Sequence, residues 1–220
     1  MACKLNSKQI VLLFSFVLMQ VAIISCQTKT TTSMNNIEFI PKEFHEVKLG
    51  YYETEDNVCT PPNADFLWNE IVINVPSKII CYVSDSTFMP IIPICGAYII
   101  GEKRAYKYMH LSAQMLHIRK KGDTIWHSGE IVEPNLEYEH PEPYPGEEED
   151  KQRTNDEVKK AQSYSDEEID KKEGQGSGGV FNVNLVDYVT FPFESGFFEI
   201  FLSFSGLESN RVILEIVIQK

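Results

Sequence analysis

Two stretches near the end of the chain carry an apolar residue at every second position, and this spacing constrains the fold more than any other feature. Within 196–204 the recurring residues are Phe198, Ile200, Leu202 and Phe204, and within 211–218 they are Val212, Leu214, Ile216 and Ile218. Because side chains of a β-strand alternate between its two faces, each stretch buries one face. The short polar link 206–210 predicts that the two strands form an antiparallel hairpin.

Most of the remaining apolar sequence is also typical of strands. Runs rich in aromatic and β-branched residues predict strands over 66–75, 78–83, 94–100, 115–119, 124–127 and 180–187. Gly122 supplies the turn of a hairpin between 115–119 and 124–127. No window of twelve residues within 37–133 has the apolar spacing of a helix. Many short strands bounded by Gly and Pro predict an all-β protein, and a β-sandwich in particular.

The segment Glu194-Ser-Gly-Phe-Phe-Glu-Ile200 resembles the acid-x-Gly-x-aromatic corner that opens the penultimate strand of immunoglobulin-like domains. Two positions depart from that pattern. Phe198 stands where a tyrosine hydroxyl would tie the corner, and Ile200 stands where an immunoglobulin has its second core cysteine. The resemblance implies an immunoglobulin-like antiparallel β-sandwich that lacks this disulfide.

Residues 1–25 have the layout of a signal peptide. Lys4 and Lys8 precede an apolar run from Ile10 to Ile24, which as a helix would be only about 22 Å long and shorter than the hydrocarbon core of a bilayer. A small residue and then a polar stretch follow the run, as at a cleavage site. We therefore expect export from the cytoplasm.

The boundary Ile23-Ile24-Ser25-Cys26 resembles the lipobox of bacterial lipoproteins. The resemblance implies that Cys26 receives acyl chains and becomes the first residue of a palmitate-bearing, membrane-anchored lipoprotein of the cell envelope, with 26–36 as a tether. Gln27, in place of aspartate, favours the outer membrane. The alternatives are an ordinary secreted protein with a cysteine just after the cut and, less favoured, an uncleaved anchor.

Residues 134–179 differ in composition from the rest of the chain. Residues 137–173 hold 14 acidic and 6 basic residues, a net charge of −8 out of −12 for the whole chain. The segment opens with Pro134, Pro141, Pro143 and Pro145, and it ends in a Gly-rich stretch, 174–179. We expect a flexible insertion between the first part of the sandwich, 37–133, and its C-terminal strands, 180–220.

The acidic balance also bears on partners. With 20 Lys and Arg against 32 Asp and Glu, the charge balance argues against nonspecific nucleic-acid binding, which needs an excess of cations. It suits a basic protein partner, as in an inhibitor or immunity protein, because an acidic segment speeds association with such a partner. The candidate contact residues are Glu147, Glu148, Glu149 and Asp150, together with the tyrosines Tyr138 and Tyr144.

Three cysteines remain after Cys3 is removed with the signal peptide and Cys26 is lipidated. Cys81 lies among apolar residues of a predicted strand, so we expect it to be buried. Cys59 and Cys95 lie near predicted loops and form the preferred disulfide, although the other two pairings and a fully reduced state stay open.

The sequence contains no catalytic or metal-binding motif. HExxH, GxSxG, P-loop and GxGxxG patterns are all missing, and no calcium loop is present. We therefore expect a non-catalytic binding or scaffolding protein without cofactor or metal. The alternative is an envelope enzyme whose site assembles from separated residues, with His117, His127 and Cys95 as the candidate cluster.

Overall fold

Strands that pair into two sheets make up most of the secondary structure in the computed structural model. The model describes residues 36–50, 58–61, 68–83, 90–132, 145–172 and 174–219, all within a compact unit that spans 34–220. The strands are β1 (Ile37–Ile40), β2 (Glu70–Asn74), β3 (Lys78–Tyr82), β4 (Pro93–Gly101), β5 (Met115–Lys120), β6 (His127–Glu130), β7 (Gly176–Asn184), β8 (Gly196–Phe204), β9 (Leu207–Glu208) and β10 (Val212–Gln219). The prediction of a mainly β protein is confirmed.

The strands form a large and a small sheet. The large sheet has the order β1-β3-β10-β8-β5-β6, with β9 paired to β8, and the small sheet has the order β2-β4-β7. Every pairing is antiparallel except that of β10 with β3, which is parallel. The predicted C-terminal hairpin is confirmed, since Leu214 pairs with Phe198 and Val212 pairs with Ile200.

Both sheets contribute to one hydrophobic core. The inward side chains of β8 and β10 that the alternation predicted, among them Ile200, Leu214 and Ile216, are fully or nearly fully buried. Ile71 and Phe181 of the small sheet belong to the same apolar cluster. Burial of these side chains removes apolar surface from water and supplies the main favourable term in folding.

A side-chain amide joins the backbones of the two halves of the chain. The Asn210 Nδ2 donates to the Ile73 carbonyl at 3.0 Å, and its Oδ1 accepts from the Ile73 N–H at 2.8 Å. Asn210 lies in the link between β9 and β10 of the large sheet, whereas Ile73 lies in β2 of the small sheet. This pair satisfies backbone groups on β2 that its partner strand does not use.

Three local predictions need correction. The strand expected over 180–187 ends at Asn184 and is followed by a short 3-10 helix, Leu185–Asp187. The strand expected over 124–127 begins only at His127 and continues to Glu130. A helix, α1 (Glu102–Lys107), lies in the region expected to be entirely strand. Its six residues are mostly strong helix formers, and a segment this short is below the length at which apolar periodicity can be recognised.

The expectation of flexible chain over 134–179 also needs correction for its described part. Residues 145–172, which we call the helical arm, contain α2 (Glu147–Gln162) and α3 (Asp166–Asp170). Four acidic residues in the first turn of α2 favour the helix because they lie at the positive end of its dipole. Ser165 and Glu168 form a capping box that starts α3.

The helical arm packs on α1 through both of its helices, and α2 makes the larger contact. Ile169 is buried, and Asp170 Oδ1 accepts from the buried Arg104 Nη2 at 2.7 Å. Asp166 Oδ1 accepts from Lys107 Nζ at 3.0 Å, and the Trp68 indole N–H donates to the Lys171 carbonyl at 3.0 Å. Two acidic residues of the arm, Asp166 and Asp170, therefore pair with a basic helix of the same chain, which composition alone does not reveal.

The Gly-rich segment after the arm is a strand and not a hinge. Residues 176–179 begin β7 and pair with β4, with Gly178 opposite Ile99. A Cβ at position 178 would lie 2.7 Å from the Tyr98 carbonyl oxygen and 2.8 Å from an Ile99 side-chain carbon. Glycine lets the two strands and their neighbours approach this closely.

Candidate functional site

The face of the large sheet that points away from the core carries an organised set of aromatic and charged side chains. Because side chains alternate along each strand, residues next to the buried ones point outward. We call this surface the outer face; it contains Met115, His117 and Arg119 of β5, Phe197, Glu199, Phe201 and Ser203 of β8, and Ile213 and Glu215 of β10.

Two arginines hold Glu199 on the outer face. Arg119 donates to Glu199 Oε2 from Nε at 2.9 Å and from Nη2 at 2.6 Å, and Arg211 Nη1 lies 3.3 Å from Oε1. The hydrogen bond from Arg119 is the main reason that the pKa of Glu199 lies below its usual range, and the hydrogen bond and charge of Arg211 lower it further. The three side chains therefore remain a charged cluster at neutral pH.

The arginines also cover aromatic rings. The guanidinium carbon of Arg119 lies 4.3 Å from the centroid of Trp126, and that of Arg211 lies 4.6 Å from the centroid of Phe201. Trp126 meets Phe201 edge-on at 4.9 Å between centroids. Guanidinium groups over rings and edge-to-face rings are both favourable, so the cluster holds its shape.

His117 lies beside this cluster between two serines. Its Nδ1 is 2.7 Å from Ser128 Oγ, its Nε2 is 2.8 Å from Ser203 Oγ, and its ring stacks on Phe201 with centroids 4.3 Å apart. Partial burial lowers the pKa of His117, and the nearby Arg211 adds to this, whereas Glu208 opposes it. His117 is consequently a neutral imidazole at pH 7.

The same face exposes apolar side chains. Phe197 is 53% exposed and Ile213 is 43% exposed, and they lie in neighbouring strands. Ion pairs of Lys78 with Glu215 and of Arg119 with Glu199 flank them. An apolar centre with a polar rim is the usual composition of a protein–protein contact surface.

A cleft of about 320 Å³ opens where β8 turns into β9. Ser203, which contacts His117, lies on its wall together with Met115 of the outer face and Glu208 of β9. The cleft is therefore continuous with the outer face.

The structure describes only part of the predicted contact segment. Tyr138, Tyr144 and the proposed lipidation site Cys26 lie outside the described residues. Glu147 and Glu148 pair with Lys151, and Asp150 pairs with Arg153, all within α2. Basic residues of the same helix therefore partly neutralise the carboxylates of Glu147, Glu148 and Asp150.

Of the cysteine states that the sequence left open, the structure has a disulfide between Cys59 and Cys95, whose Cα atoms are 5.8 Å apart. Cys81 is a free buried thiol in β3. Burial raises the pKa of Cys81 to about 11, so it stays protonated and unreactive.

The candidate catalytic cluster of His117, His127 and Cys95 does not assemble. His117 pairs with Ser128 across the β5–β6 hairpin and His127 pairs with Ile118, so the two imidazoles belong to opposite faces. Cys95 is held in the disulfide. Within the described ranges, no three His, Cys, Asp or Glu side chains are grouped to hold a metal ion, and no helix there is long and apolar enough to cross a membrane.

The sequence analysis missed the cluster around Glu199. Arg119 and Glu199 do fall at outward positions of β5 and β8, and Arg211 directly precedes β10. Alternation gives the face of each residue, but the cross-strand register that brings them together was needed to recognise the cluster.

Comparisons with protein-family models, with curated protein sequences and with solved structures each found no match.

Proposed function

We propose that this chain is a non-catalytic binding module of the cell envelope that contacts a protein partner through the outer face. In this proposal Cys26 carries the lipid anchor and 26–36 is the tether. The two sheets form an immunoglobulin-like sandwich into which residues 134–179 are inserted. The lipobox-like sequence and the corner at 194–200 support these parts of the proposal.

The observation that carries the proposal is the exposed pair Phe197 and Ile213 beside a cluster of fixed orientation. Exposure of large apolar side chains to water is unfavourable, and neighbouring exposed apolar residues are typical of an interaction site. Arg119 is held by its hydrogen bonds to Glu199 and lies over the Trp126 ring. Because these side chains are already ordered, they lose less conformational entropy when a partner binds.

A protein partner suits this face better than a stacked sugar ring. The guanidinium of Arg119 lies over the Trp126 ring at 4.3 Å, and that of Arg211 lies at 5.4 Å. Platform stacking of a sugar needs an indole face that no other group occupies. The exposed apolar surface lies instead at Phe197 and Ile213.

The test is co-purification from solubilised envelope with three matched variants. Phe197→Glu and Ile213→Glu place a charge in the proposed contact, and Val58→Glu places one at a similarly exposed apolar residue near the disulfide. We expect the first two variants to lose a protein that the wild type and Val58→Glu retain. Retention of every co-purifying protein by both outer-face variants would contradict the proposal.

The second candidate is an envelope enzyme, favoured by the position of His117 between two serine hydroxyls. A neutral imidazole can take the proton of Ser203 Oγ as that oxygen attacks an ester carbonyl, and it can give this proton to the alcohol oxygen that leaves when the ester C–O bond breaks and the acyl-serine forms. Labelling with a fluorophosphonate tests this candidate. We expect wild-type protein to stay unlabelled if the binding proposal is correct, and labelling that Ser203→Ala abolishes would favour the enzyme.

A further inference from the structure

The cleft at the end of β8 has walls that suit an aliphatic chain. Its apolar lining comes from Leu111, Ala113, Met115, Phe204 and Leu207. Leu111 is 46% exposed, so a ligand that covers it would remove apolar surface from water and gain binding free energy. A volume of about 320 Å³ is at the lower limit of small-ligand pockets, so it suits one or two side chains.

The polar groups of the cleft favour a cation as the group at the end of that chain. Glu208 and His110 lie on the wall, Glu208 is the only carboxylate among the described residues that line the cleft, and none of those residues is a lysine or an arginine. Glu208 uses Oε2 in its pair with Arg211, which leaves Oε1 to accept from a second donor. His117, which holds Ser203 on the wall, is neutral at pH 7 and adds no positive charge.

We infer that this cleft binds a lysine or arginine side chain of the partner, with the aliphatic stem against Met115 and Leu207 and the cation on Glu208. This inference rests on the proposed function, because the cleft continues the outer face and the same partner reaches both. Burial of the stem along apolar walls with the charged head on a carboxylate is the arrangement that long basic side chains favour. The acidic charge of the chain, −12, attracts such a partner over longer distance.

The test uses short blocked tripeptides of the form Gly-X-Gly and the protein labelled with ¹³C at the methionine methyl groups. With X as lysine or arginine, we expect the Met115 methyl signal to shift saturably. With X as norleucine, which keeps the stem and lacks the cation, we expect weaker binding, and with X as glutamate no binding.

Two matched variants locate the cation. Glu208→Gln should weaken binding of the lysine peptide about five-fold, the effect of an exposed ion pair at the upper end of its usual range. Glu194→Gln is the control, since Glu194 is as exposed as Glu208 and pairs with Lys120 away from the cleft. This control should leave the affinity unchanged.

Several results would overturn the inference. They are equal binding of the norleucine and lysine peptides, preference for the glutamate peptide, an unchanged affinity in Glu208→Gln, or no Met115 shift with any peptide. The proposed function fails separately, because its test depends on Phe197 and Ile213 and not on the cleft. If substitution of Phe197 or Ile213 releases a partner but no peptide binds in the cleft, the outer face remains the proposed binding surface. The cleft is then not its subsite for a basic residue.

Discussion

Phe201 is the residue for which the sequence and the structure give opposite expectations. The alternation along β8 assigns Phe201 to the face opposite the core, so Phe201→Ala should cost clearly less than Ile200→Ala. In the structure Phe201 is only 6% exposed, because His117, Trp126 and Arg211 cover it. We therefore expect Phe201→Ala to be strongly destabilising.

The magnitude follows from a comparison with Phe197, which lies on the same strand and face. The exposed fractions of the two residues, 6% and 53%, differ by about one half. For a side chain that buries roughly 200 Å² this is about 100 Å², or about 2.5 kcal/mol at 25 cal/mol per Å². Loss of the ring contacts with His117 and Trp126 adds roughly 0.5–1.5 kcal/mol. We expect Phe201→Ala to cost about 3–4 kcal/mol more than Phe197→Ala, which brings it to the size of the loss of about 2–5 kcal/mol expected for Ile200→Ala.

The assay is equilibrium urea unfolding of wild type, Phe201→Ala, Ile200→Ala and the control Phe197→Ala, with the disulfide intact. The slope of the free energy of unfolding against urea checks that unfolding stays two-state. Equal losses for Phe201→Ala and Phe197→Ala would refute the reasoning, because the cover on Phe201 would then contribute nothing. Adding Trp126→Ala gives a double-mutant cycle, in which the Phe201 effect should shrink.

Three further predictions concern other parts of the chain. Because the pKa of Glu199 lies below its ordinary value of 4.5, its ion pairs contribute stability that is present above pH 4.5 and lost as the pH falls through the lowered pKa. The urea midpoint should therefore fall less steeply in acid for Glu199→Gln than for wild type, and equal slopes would contradict this. Asp170→Asn should lower the free energy of unfolding by about 1–3 kcal/mol and speed trypsin cleavage of the helical arm, because it leaves the buried Arg104 guanidinium without its charged partner. The control Asp166→Asn, whose partner Lys107 is more exposed, should have a smaller effect. Cys26→Ser should abolish palmitate labelling and move the protein out of the membrane fraction, and labelling that survives the substitution would refute the lipobox interpretation.

The helical arm illustrates where prediction from the sequence failed. Sparse apolar residues and strong negative charge indicated a flexible segment, and only Ile169 and Ala161 of α2 and α3 are buried. The arm is held by ion pairs and hydrogen bonds to α1 and Trp68, which are distant in sequence. Because of the contacts at Arg104 and Trp68, deletion of the arm should measurably lower the midpoint of thermal unfolding.

The sequence by itself determined the local period of the strands. It placed Ile200, Leu214 and Cys81 in the core, because a strand has a period of two that each stretch of residues displays independently of its partners. Only the tertiary structure decided what covers the other side. The Arg119–Glu199–Arg211 cluster depends on the register of three strands, and the cover on Phe201 depends on Trp126 reaching across the sheet. Register and packing are set by contacts between distant segments, and their free energies appear only when those segments are brought together.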